Sequence, residues 1–460
     1  MTDHTADLVI LGGGSGGYAC ALRAAELGLS VVLIEKDKLG GTCLHRGCIP
    51  TKALLHAAEI AETSRSGARF GVLTHLAGID MTGVNTYKDG VVDKLHKGLQ
   101  GLVKSRKVML VSGTGTFVGP TSVQVDGDRY IGRNVVLATG SIPRTLPGIE
   151  IGGRIVTSDQ ALALDEVPER VVVLGGGVIG VEFASVWNSF GSHVTVVEAF
   201  SRLLSSEDEF TSKQIQRAYR RRQIDVRTST KLTEARAEAD RVVLTLESGD
   251  ALEADLLLVA VGRAPNTSGH GYEEAGLAMQ RQLVSTDERL RTNLDGVYAV
   301  GDIVAGPQLA HRGFQEGIFV AEEIAGRTPR PIDQSGIPRV AYCEPEAASV
   351  GLSEADARSK FGTVHCETYD LNGNGKSQIL GTAGAVKLIK AGPAGEPGPV
   401  VGIHMVGARV GELIGEAQLI YNWQAEADDV APLIHAHPTQ NEALGEAFLA
   451  LAGKPLHSHA

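Results

Sequence analysis

Cysteine is scarce: the 460 residues hold five. Their number is odd and their spacing irregular, which excludes the disulfide framework of a small secreted domain. No apolar run reaches the length of a membrane span. The longest candidate, Val171–Val186, is broken by Gly175, Gly176, Gly177, Gly180 and Glu182, and reads as strand, loop and helix. No basic flank with a leader-length apolar stretch opens the chain; MTDHTADLVILGGG enters a strand almost at once. No secretory signal is therefore expected, and a cytoplasmic location is. Positive charge is also short. The formal net charge is −11, against a nucleic-acid partner, which wants a basic field. The one basic run, Arg220–Arg222, is expected to be a solvated helix face. Neither a membrane nor a nucleic acid is expected as a partner.

What is present is ordinary globular composition, 43% hydrophobic and 21% charged, in a chain too long for a single core. Two to four domains are expected. Glycine is abundant, at 57 residues, and clusters after apolar runs. Asp7–Leu11 predicts a strand that runs into Gly12-Gly13-Gly14-Ser15-Gly16-Gly17, followed by a helix to about Gly28 and a second strand over Leu29–Ile34. Gly12, Gly14 and Gly17 meet the GxGxxG pattern. The first glycine makes the tight turn, the second admits a pyrophosphate, and the third allows close helix–strand packing. Glu35, 21 residues after Gly14, is placed to bind ribose hydroxyls.

The pattern returns with Gly175, Gly177 and Gly180 between predicted strands Arg170–Leu174 and His193–Val197, closed by Glu198. The offset of 163 residues is too long for two halves of one mononucleotide pair, so two dinucleotide sites are expected. A carboxylate at Glu198 suits the ribose hydroxyls of NAD and repels the 2′-phosphate of NADP. Arg202, close in sequence, is the one residue that speaks for NADP; its plainer reading is a solvated arginine.

Between the fingerprints stands Gly40-Gly41-Thr42-Cys43-Leu44-His45-Arg46-Gly47-Cys48-Ile49-Pro50-Thr51-Lys52. Five steps of regular helix rise about 7.5 Å, beyond the roughly 4.4–6.8 Å between Cα atoms that a disulfide prefers. Cys43 must therefore precede the regular helix, or the turn between the cysteines must be distorted. Gly47 eases such a turn, and Pro50 suits an early helical position. Thr51–Ala61 predicts helix. A cysteine at a helix start has a lowered pKa, and thiolate is the reactive form. A redox disulfide is the favoured reading. A metal site would need more soft ligands than Cys20, Cys343 and Cys366 provide, and those three are read as structural.

Near the end, His435-Ala436-His437-Pro438-Thr439-Gln440-Asn441-Glu442 supplies a proton acceptor for thiol chemistry. His437 with Glu442 forms an oriented pair if a helix begins near Thr439. His435 is the rival base, and spacing alone does not choose between them.

With these stretches in view, the sequence resembles the pyridine nucleotide–disulfide oxidoreductase family, and within it the branch that oxidises dihydrolipoyl groups. The resemblance covers essentially the whole chain and rests on GGGSGG at 12–17, GGTCLHRGCIPTKALL at 40–55, ATG at 138–140, GGGVIGVEFA at 175–184, VGRAPNT at 261–267, GVYAVGDI at 296–303 and HAHPTQNEA at 435–443. It implies an α/β fold of two Rossmann-like dinucleotide-binding domains plus a C-terminal mixed α/β interface domain. The expected layout is an FAD-binding domain over 1–143, an NAD-binding domain over 144–270, a central segment over 271–338 that packs back on the FAD domain, and a dimerisation domain over 339–460. Within the last, Ala391–Pro399 predicts a loop between strands Ala385–Ile389 and Val400–Ile403.

The resemblance also implies roles. FAD is held by the first fingerprint, Glu35, Gly140 and Asp302. Lys52 lies beside the flavin with Glu182 as its partner near the nicotinamide. Cys43 exchanges with substrate and Cys48 faces the flavin. His437, the histidine before Pro–Thr, is the base, and Glu442 orients it. The tail comes from the second subunit of a homodimer, so the active site is shared across the interface. The implied activity is oxidation of protein-bound dihydrolipoyl groups with reduction of NAD⁺, with lipoyl domains of 2-oxoacid dehydrogenase or related complexes as partners. The alternative is an NAD(P)H-dependent reductase of a small disulfide such as glutathione or mycothione. No metal is expected. His45 and Arg46 replace the Asn–Val common between the cysteines of relatives, and Thr51 replaces a common serine.

Overall fold

The computed structural model describes residues 2–457. Along the chain its first elements are β1 (Asp3–Leu11), α1 (Ser15–Glu26), β2 (Val31–Glu35), α2 (Gly41–Arg46), α3 (Cys48–Ser66) and α4 (Met81–Ser105). Then come β3 (Met109–Ser112), β4 (Thr116–Gly119), β5 (Ser122–Val125), β6 (Asp128–Leu137), β7 (Ser141–Pro143), β8 (Ile155–Thr157) and α5 (Ser158–Ala161). The second fingerprint lies among β9 (Arg170–Leu174), α6 (Val178–Phe190), β10 (His193–Val197), α7 (Glu209–Arg221) and β11 (Asp225–Arg227). Short strands follow: β12 (Leu232–Ala237), β13 (Val242–Leu246), β14 (Ala251–Ala254), β15 (Leu256–Val259), β16 (Arg263–Pro265), β17 (Met279–Gln280), β18 (Leu283–Val284) and β19 (Val297–Ala299). The remainder is α8 (Ala310–Ile324), β20 (Arg339–Ala341), β21 (Glu346–Gly351), α9 (Glu354–Phe361), β22 (Val364–Asp370), α10 (Gly375–Leu380), β23 (Ala385–Ala391), β24 (Val400–Gly407), α11 (Val410–Asn422), α12 (Ala427–Val430) and α13 (Glu442–Leu451).

Two compact units divide these elements. One gathers Met1–Ala53, Thr82–Arg144 and Arg263–Gln334; the other gathers Leu54–Met81, Thr145–Gly262 and Ser335–Ala460.

The first unit is built on a sheet of order β3-β2-β1-β6-β5-β4, with β19 added beside β6. Strand β1 is parallel to β2 and β6, placing Ile10 between Leu33 and Val136. All three side chains are fully buried, as the unbroken apolar runs of a sheet covered on both faces require. Each such side chain stabilises the fold by about 1.5–3 kcal/mol. The chain leaves β1 toward β2 on one side and later returns as β6 on the other. The mouth of β1 is thus a topological switch point, where open α/β sheets take ligands.

The second unit repeats the device. Its parallel sheet has the order β11-β10-β9-β15-β8, and β9 is flanked by β10 and β15 in the way β1 is flanked by β2 and β6. The same unit contains the three-stranded sheet β12-β13-β14 and an antiparallel sheet of order β20-β21-β24-β23-β22. Helices α11 and α13 close one face of that last sheet over Val386, Leu388, Ile403 and Met405. Ala391–Pro399 joins β23 to β24 as a loop, bridged by a bond from the Ala391 N–H to the Pro399 carbonyl at 3.0 Å.

One local expectation is met in both its forms and another needs correction. Cys43 lies in a short helix, α2, that precedes the long helix α3; Gly47, at φ −146° and ψ −111°, breaks α2 from α3, and α3 starts at Cys48 itself. Cys43 thus precedes the regular helix, and the turn between the cysteines is distorted as well. In the basic run, Arg220 and Arg221 are exposed, whereas Arg222 is half-buried and donates to the Glu344 carbonyl and the Ser189 hydroxyl. Its guanidinium tethers the end of α7 instead of facing solvent.

Candidate active site

The first fingerprint is a backbone cradle. Gly12 sits at φ +108°, and a Cβ there would lie 2.3 Å from the Ala138 carbonyl oxygen. A Cβ at Gly17 would lie 1.8 Å from the Gly12 oxygen. Neither position admits a side chain. Gly14 is the N-cap of α1, with no side chain capping it and no acidic residue in the first turn. The first N–H groups of α1 thus face an anion-binding concavity. Glu35 ends β2; its carboxylate accepts from the Gly13 N–H at 2.7 Å and the Asp37 N–H at 2.8 Å. Each oxygen has a lone pair left for a ribose hydroxyl.

Two other segments come to the same end of the sheet. Strand β6 delivers Ala138, Thr139 and Gly140, and β19 leads into the turn holding Asp302. Gly140 is at φ +73°, and its carbonyl accepts from the Asn266 N–H. Asp302 accepts from the Ser141 hydroxyl at 2.5 Å. Arg263 donates to the Ser141 hydroxyl and carbonyl, both at 2.7 Å, and reaches Thr42 Oγ1 at 3.5 Å. Arg263 and Ser141 received no role from the sequence. Arg263 stood in the VGRAPNT stretch, but nothing in the spacing joined it to Asp302. An uncapped helix start, side-chain-free glycines and a ribose-facing carboxylate together fit FAD.

The cysteine loop rests on this cradle. Gly41, at φ +61°, would place a Cβ 2.7 Å from the Gly14 Cα, so the two glycine segments lie back to back. The Gly40 N–H donates to the Gly13 carbonyl at 2.8 Å. Cys43 and Cys48 are both thiols, with their side chains hydrogen-bonded to each other. That bond, then burial and the Cys48 charge, push the Cys43 thiol well above the ordinary range, with Lys52 and the Cys48 N–H pulling the other way. The helix-start lowering expected for the reactive cysteine is thus outweighed at Cys43 in the dithiol. Two sulfurs in contact give up a first proton far more readily than a second. Tyr18 on α1 faces the pair; burial and then the two cysteines raise its hydroxyl to about 12. His45 bonds the Leu39 carbonyl at 2.9 Å and meets the His96 ring edge-on, at 4.8 Å between centroids. Arg46 pairs with Asp37. Cys20 and Cys343 are buried, and Cys366 is half-buried on β22. No group of three or more His, Cys, Asp or Glu among the described residues could hold a metal.

The second fingerprint copies the first. Gly175 is at φ +110°, and a Cβ at Gly180 would lie 1.9 Å from the Gly175 oxygen. A Cβ at Gly177 would meet no protein atom within 4 Å, so the concavity is open to a ligand. Glu198 is 7% exposed and accepts from the Gly176 N–H at 2.5 Å and the Phe200 N–H at 2.7 Å. Arg202 donates to the Ser205 carbonyl at 2.9 Å, which gives its guanidinium a local partner. Glu182, on α6, is 3% exposed and accepts from the Tyr342 N–H at 3.0 Å.

In the tail, His437 Nδ1 meets Glu442 Oε1 at 2.8 Å, and the side chain of His437 is 77% exposed. The other Glu442 oxygen accepts from the Thr439 N–H at 2.7 Å. Helix α13 begins at Glu442, three residues beyond the expected start. His435 differs in kind: its side chain is 10% exposed, and Nε2 meets Glu416 Oε1 at 3.0 Å. An exposed ring oriented by a carboxylate can take a proton from an incoming thiol; a sequestered, already paired ring cannot.

Comparison with known proteins agrees with this geometry. Residues 6–317 match the family model for pyridine nucleotide–disulphide oxidoreductases, and residues 337–448 match that family's dimerisation domain. The dihydrolipoyl dehydrogenase of Bacillus subtilis (strain 168) is 39% identical over 98% of this chain and 99% of its own length. The leghemoglobin reductase of Vigna unguiculata is also 39% identical, over 98% of this chain and 88% of its own. The crystal structure of LpdA from Mycobacterium tuberculosis superposes with a TM-score of 0.89 over 98% of this chain and all of that one; at 24% identity it speaks to the fold.

Proposed function

The chain belongs to the pyridine nucleotide–disulphide oxidoreductase family, whose cofactors are FAD and NAD(H), and on that premise we propose that it oxidises protein-borne dihydrolipoyl groups while NAD⁺ becomes NADH. The observation that carries the reading is a pair of cysteines in contact, seated directly on the glycine cradle of the first dinucleotide site. It is supported by the full-length likeness to a dihydrolipoyl dehydrogenase. Glu198, which welcomes ribose hydroxyls and repels a 2′-phosphate, also supports it.

The steps assigned to this chain's residues balance as follows. His437 of the partner subunit, its Nδ1–H held by Glu442, accepts a proton at Nε2 from one substrate thiol. The resulting thiolate attacks Cys43 Sγ, and the Cys43–Cys48 bond breaks with Cys48 leaving as thiolate. The second substrate thiol then attacks the substrate sulfur of the mixed disulfide, its proton passing to the departing Cys43 sulfur. Cyclic disulfide departs and Cys43 is released reduced. Two electrons now reside on the cysteine pair, with Lys52 positioned beside it to stabilise negative charge. When bound, FAD supplies the link between a two-electron dithiol and a hydride acceptor. Glu182, held by the Tyr342 backbone, is the residue we assign to the nicotinamide side. A cytoplasmic location suits a pair that cycles instead of remaining oxidised.

The test is anaerobic stopped-flow mixing of the FAD-loaded dimer with dihydrolipoamide, followed by NAD⁺. Rapid bleaching of the flavin band with long-wavelength thiolate–flavin absorbance, then NADH formation, is expected. An enzyme inert to dihydrolipoamide yet rapidly reduced by NADPH, with a small disulfide as acceptor, would replace this reading with the small-disulfide reductase.

A further inference from the structure

The loop that carries His437 is gripped on both sides by one residue with no assigned role. Glu416, on α11, is 27% exposed at its side chain. Its Oε1 meets His435 Nε2 at 3.0 Å, and its Oε2 accepts from Asn441 Nδ2 at 2.5 Å. His435 lies two residues before His437, and Asn441 immediately precedes Glu442. One carboxylate thus ties the stem entering the loop to the stem leaving it, and the leaving stem carries the partner of the base. Among the described residues, the hydrogen bond and ion pair of the His437 ring run to Glu442. The position of its ring is inherited from the frame around it.

The frame has a second support. Asn374, before α10, donates to the Thr439 carbonyl at 3.0 Å, and Ser377 donates to Gln440 Oε1 at 2.8 Å. These bonds hold the middle of the loop. Inside the loop, the Thr439 hydroxyl donates to the Ala436 carbonyl at 2.7 Å and accepts from the Glu442 N–H at 3.3 Å; Glu416 joins the two stems from outside, on α11. The site is also shaped to the ring of His435: a Cβ on Gly445 of α13 would lie 2.6 Å from His435 Nδ1, so the helix leaves that space for the imidazole.

We infer that Glu416 is a positioning residue, which clasps His435 and Asn441 and thereby sets the tautomer and direction of the His437 ring. His435 is then one arm of a clasp and not a second base. This deepens the proposed function and rests on the assignment of His437 as the base. The charged and titratable groups facing His435 are Glu416 on α11 and Glu442 at the start of α13, and His437 faces Glu442 in turn. Misplacing a reacting group by about 1 Å costs on the order of a hundredfold in rate, so the loss expected on opening the clasp is about ten- to a hundredfold.

The experiment compares the FAD-loaded wild type with Glu416→Gln, His435→Gln, His435→Ala and Asn441→Ala. The decisive readout needs no substrate: nitrogen-15 NMR of labelled histidine, which reports which ring nitrogen of His437 carries the proton. Expected in Glu416→Gln is a shift from one tautomer to a mixture. It should be accompanied by an about ten- to a hundredfold slower reduction by dihydrolipoamide and an unaltered reduction by NADH, in which His437 has no part. His435→Gln, which keeps a donor for Glu416, should retain more of both properties than His435→Ala. If Glu416→Gln does not fold, Asn441→Ala opens one arm alone and is read the same way. A His437 tautomer identical to wild type in the folded clasp variants overturns the inference, whatever the rates. A wild type inert to dihydrolipoamide would remove the proposed function, and the tautomer comparison would still decide the clasp.

Discussion

At the scale of single residues, chemistry is set by what each titratable group touches. Cys43 and Cys48 share a hydrogen bond, so they act as one redox unit. Substituting either with serine should reduce dihydrolipoamide-driven reduction by more than about a hundredfold, since no disulfide can form. The two variants should differ spectroscopically. Cys43→Ser leaves the sulfur assigned to the flavin and should retain long-wavelength thiolate–flavin absorbance; Cys48→Ser should lose it. Equal spectra would reverse or void the division of labour.

The clasp also has a pH signature. Glu416, above all else, raises the pKa of His435. A group raised on folding contributes stability that is complete below its unfolded value, about 6.5, and is lost as pH climbs through the folded value. His435 in return, through its hydrogen bond, lowers Glu416. That contribution is present above the usual carboxylate range and fades as pH falls through the folded value. The thermal midpoint gap between wild type and Glu416→Gln should therefore be widest near about pH 6 and narrow on the alkaline side. A gap constant from pH 6 to 9 in calorimetry would contradict it.

The reactive residues were legible because their neighbours in sequence are their neighbours in space: GTCLHRGC and HPTQNE are local. Glu416 was not, since its partners lie 19 and 25 residues away on another element. Arg263 and Ser141 escaped for the same reason.

At the scale of elements, the two glycine fingerprints separate packing from binding. Gly180→Ala forces a methyl to within 1.9 Å of the Gly175 oxygen, and backbone cannot yield as a side chain would. Destabilisation of about 1–3 kcal/mol or more is expected, seen as a lower midpoint in urea unfolding. Gly177→Ala meets no protein atom. It should fold normally yet raise the KM for NAD⁺, because its methyl enters the space left for the dinucleotide. Strand β9 matches its sequence reading because an unbroken apolar run between a polar start and a glycine loop has few other solutions, and β10 matches because its short, β-branched run is closed by the acid Glu198. Helix α2 did not, because it depends on Gly40 and Gly41 adopting left-handed backbone against the fingerprint, a tertiary contact that no local period announces.

At the scale of the whole molecule, the proposed sharing of the site between two subunits predicts complementation. Cys43→Ser and His437→Gln homodimers should each be nearly inactive. Dissociated and re-paired, they should form mixed dimers in which one site carries both defects and the other neither. Isolated mixed dimers should regain about half of wild-type turnover. Absence of any recovery, with mixed dimers verified by mass spectrometry, would place the base and the cysteines in one subunit. Within the described residues no helix is long and apolar enough to cross a membrane.

The back-to-back seating of Gly41 on Gly14 has a consequence for anyone grafting redox chemistry between relatives. The sulfur-bearing segment has no floor of its own; it borrows that floor from the nucleotide loop. Residues 40–48 are therefore not a portable cassette. A transplant that leaves behind residues 12–17 should give a protein that binds its dinucleotide and holds its thiols out of register, and a successful chimera must carry both stretches as one piece.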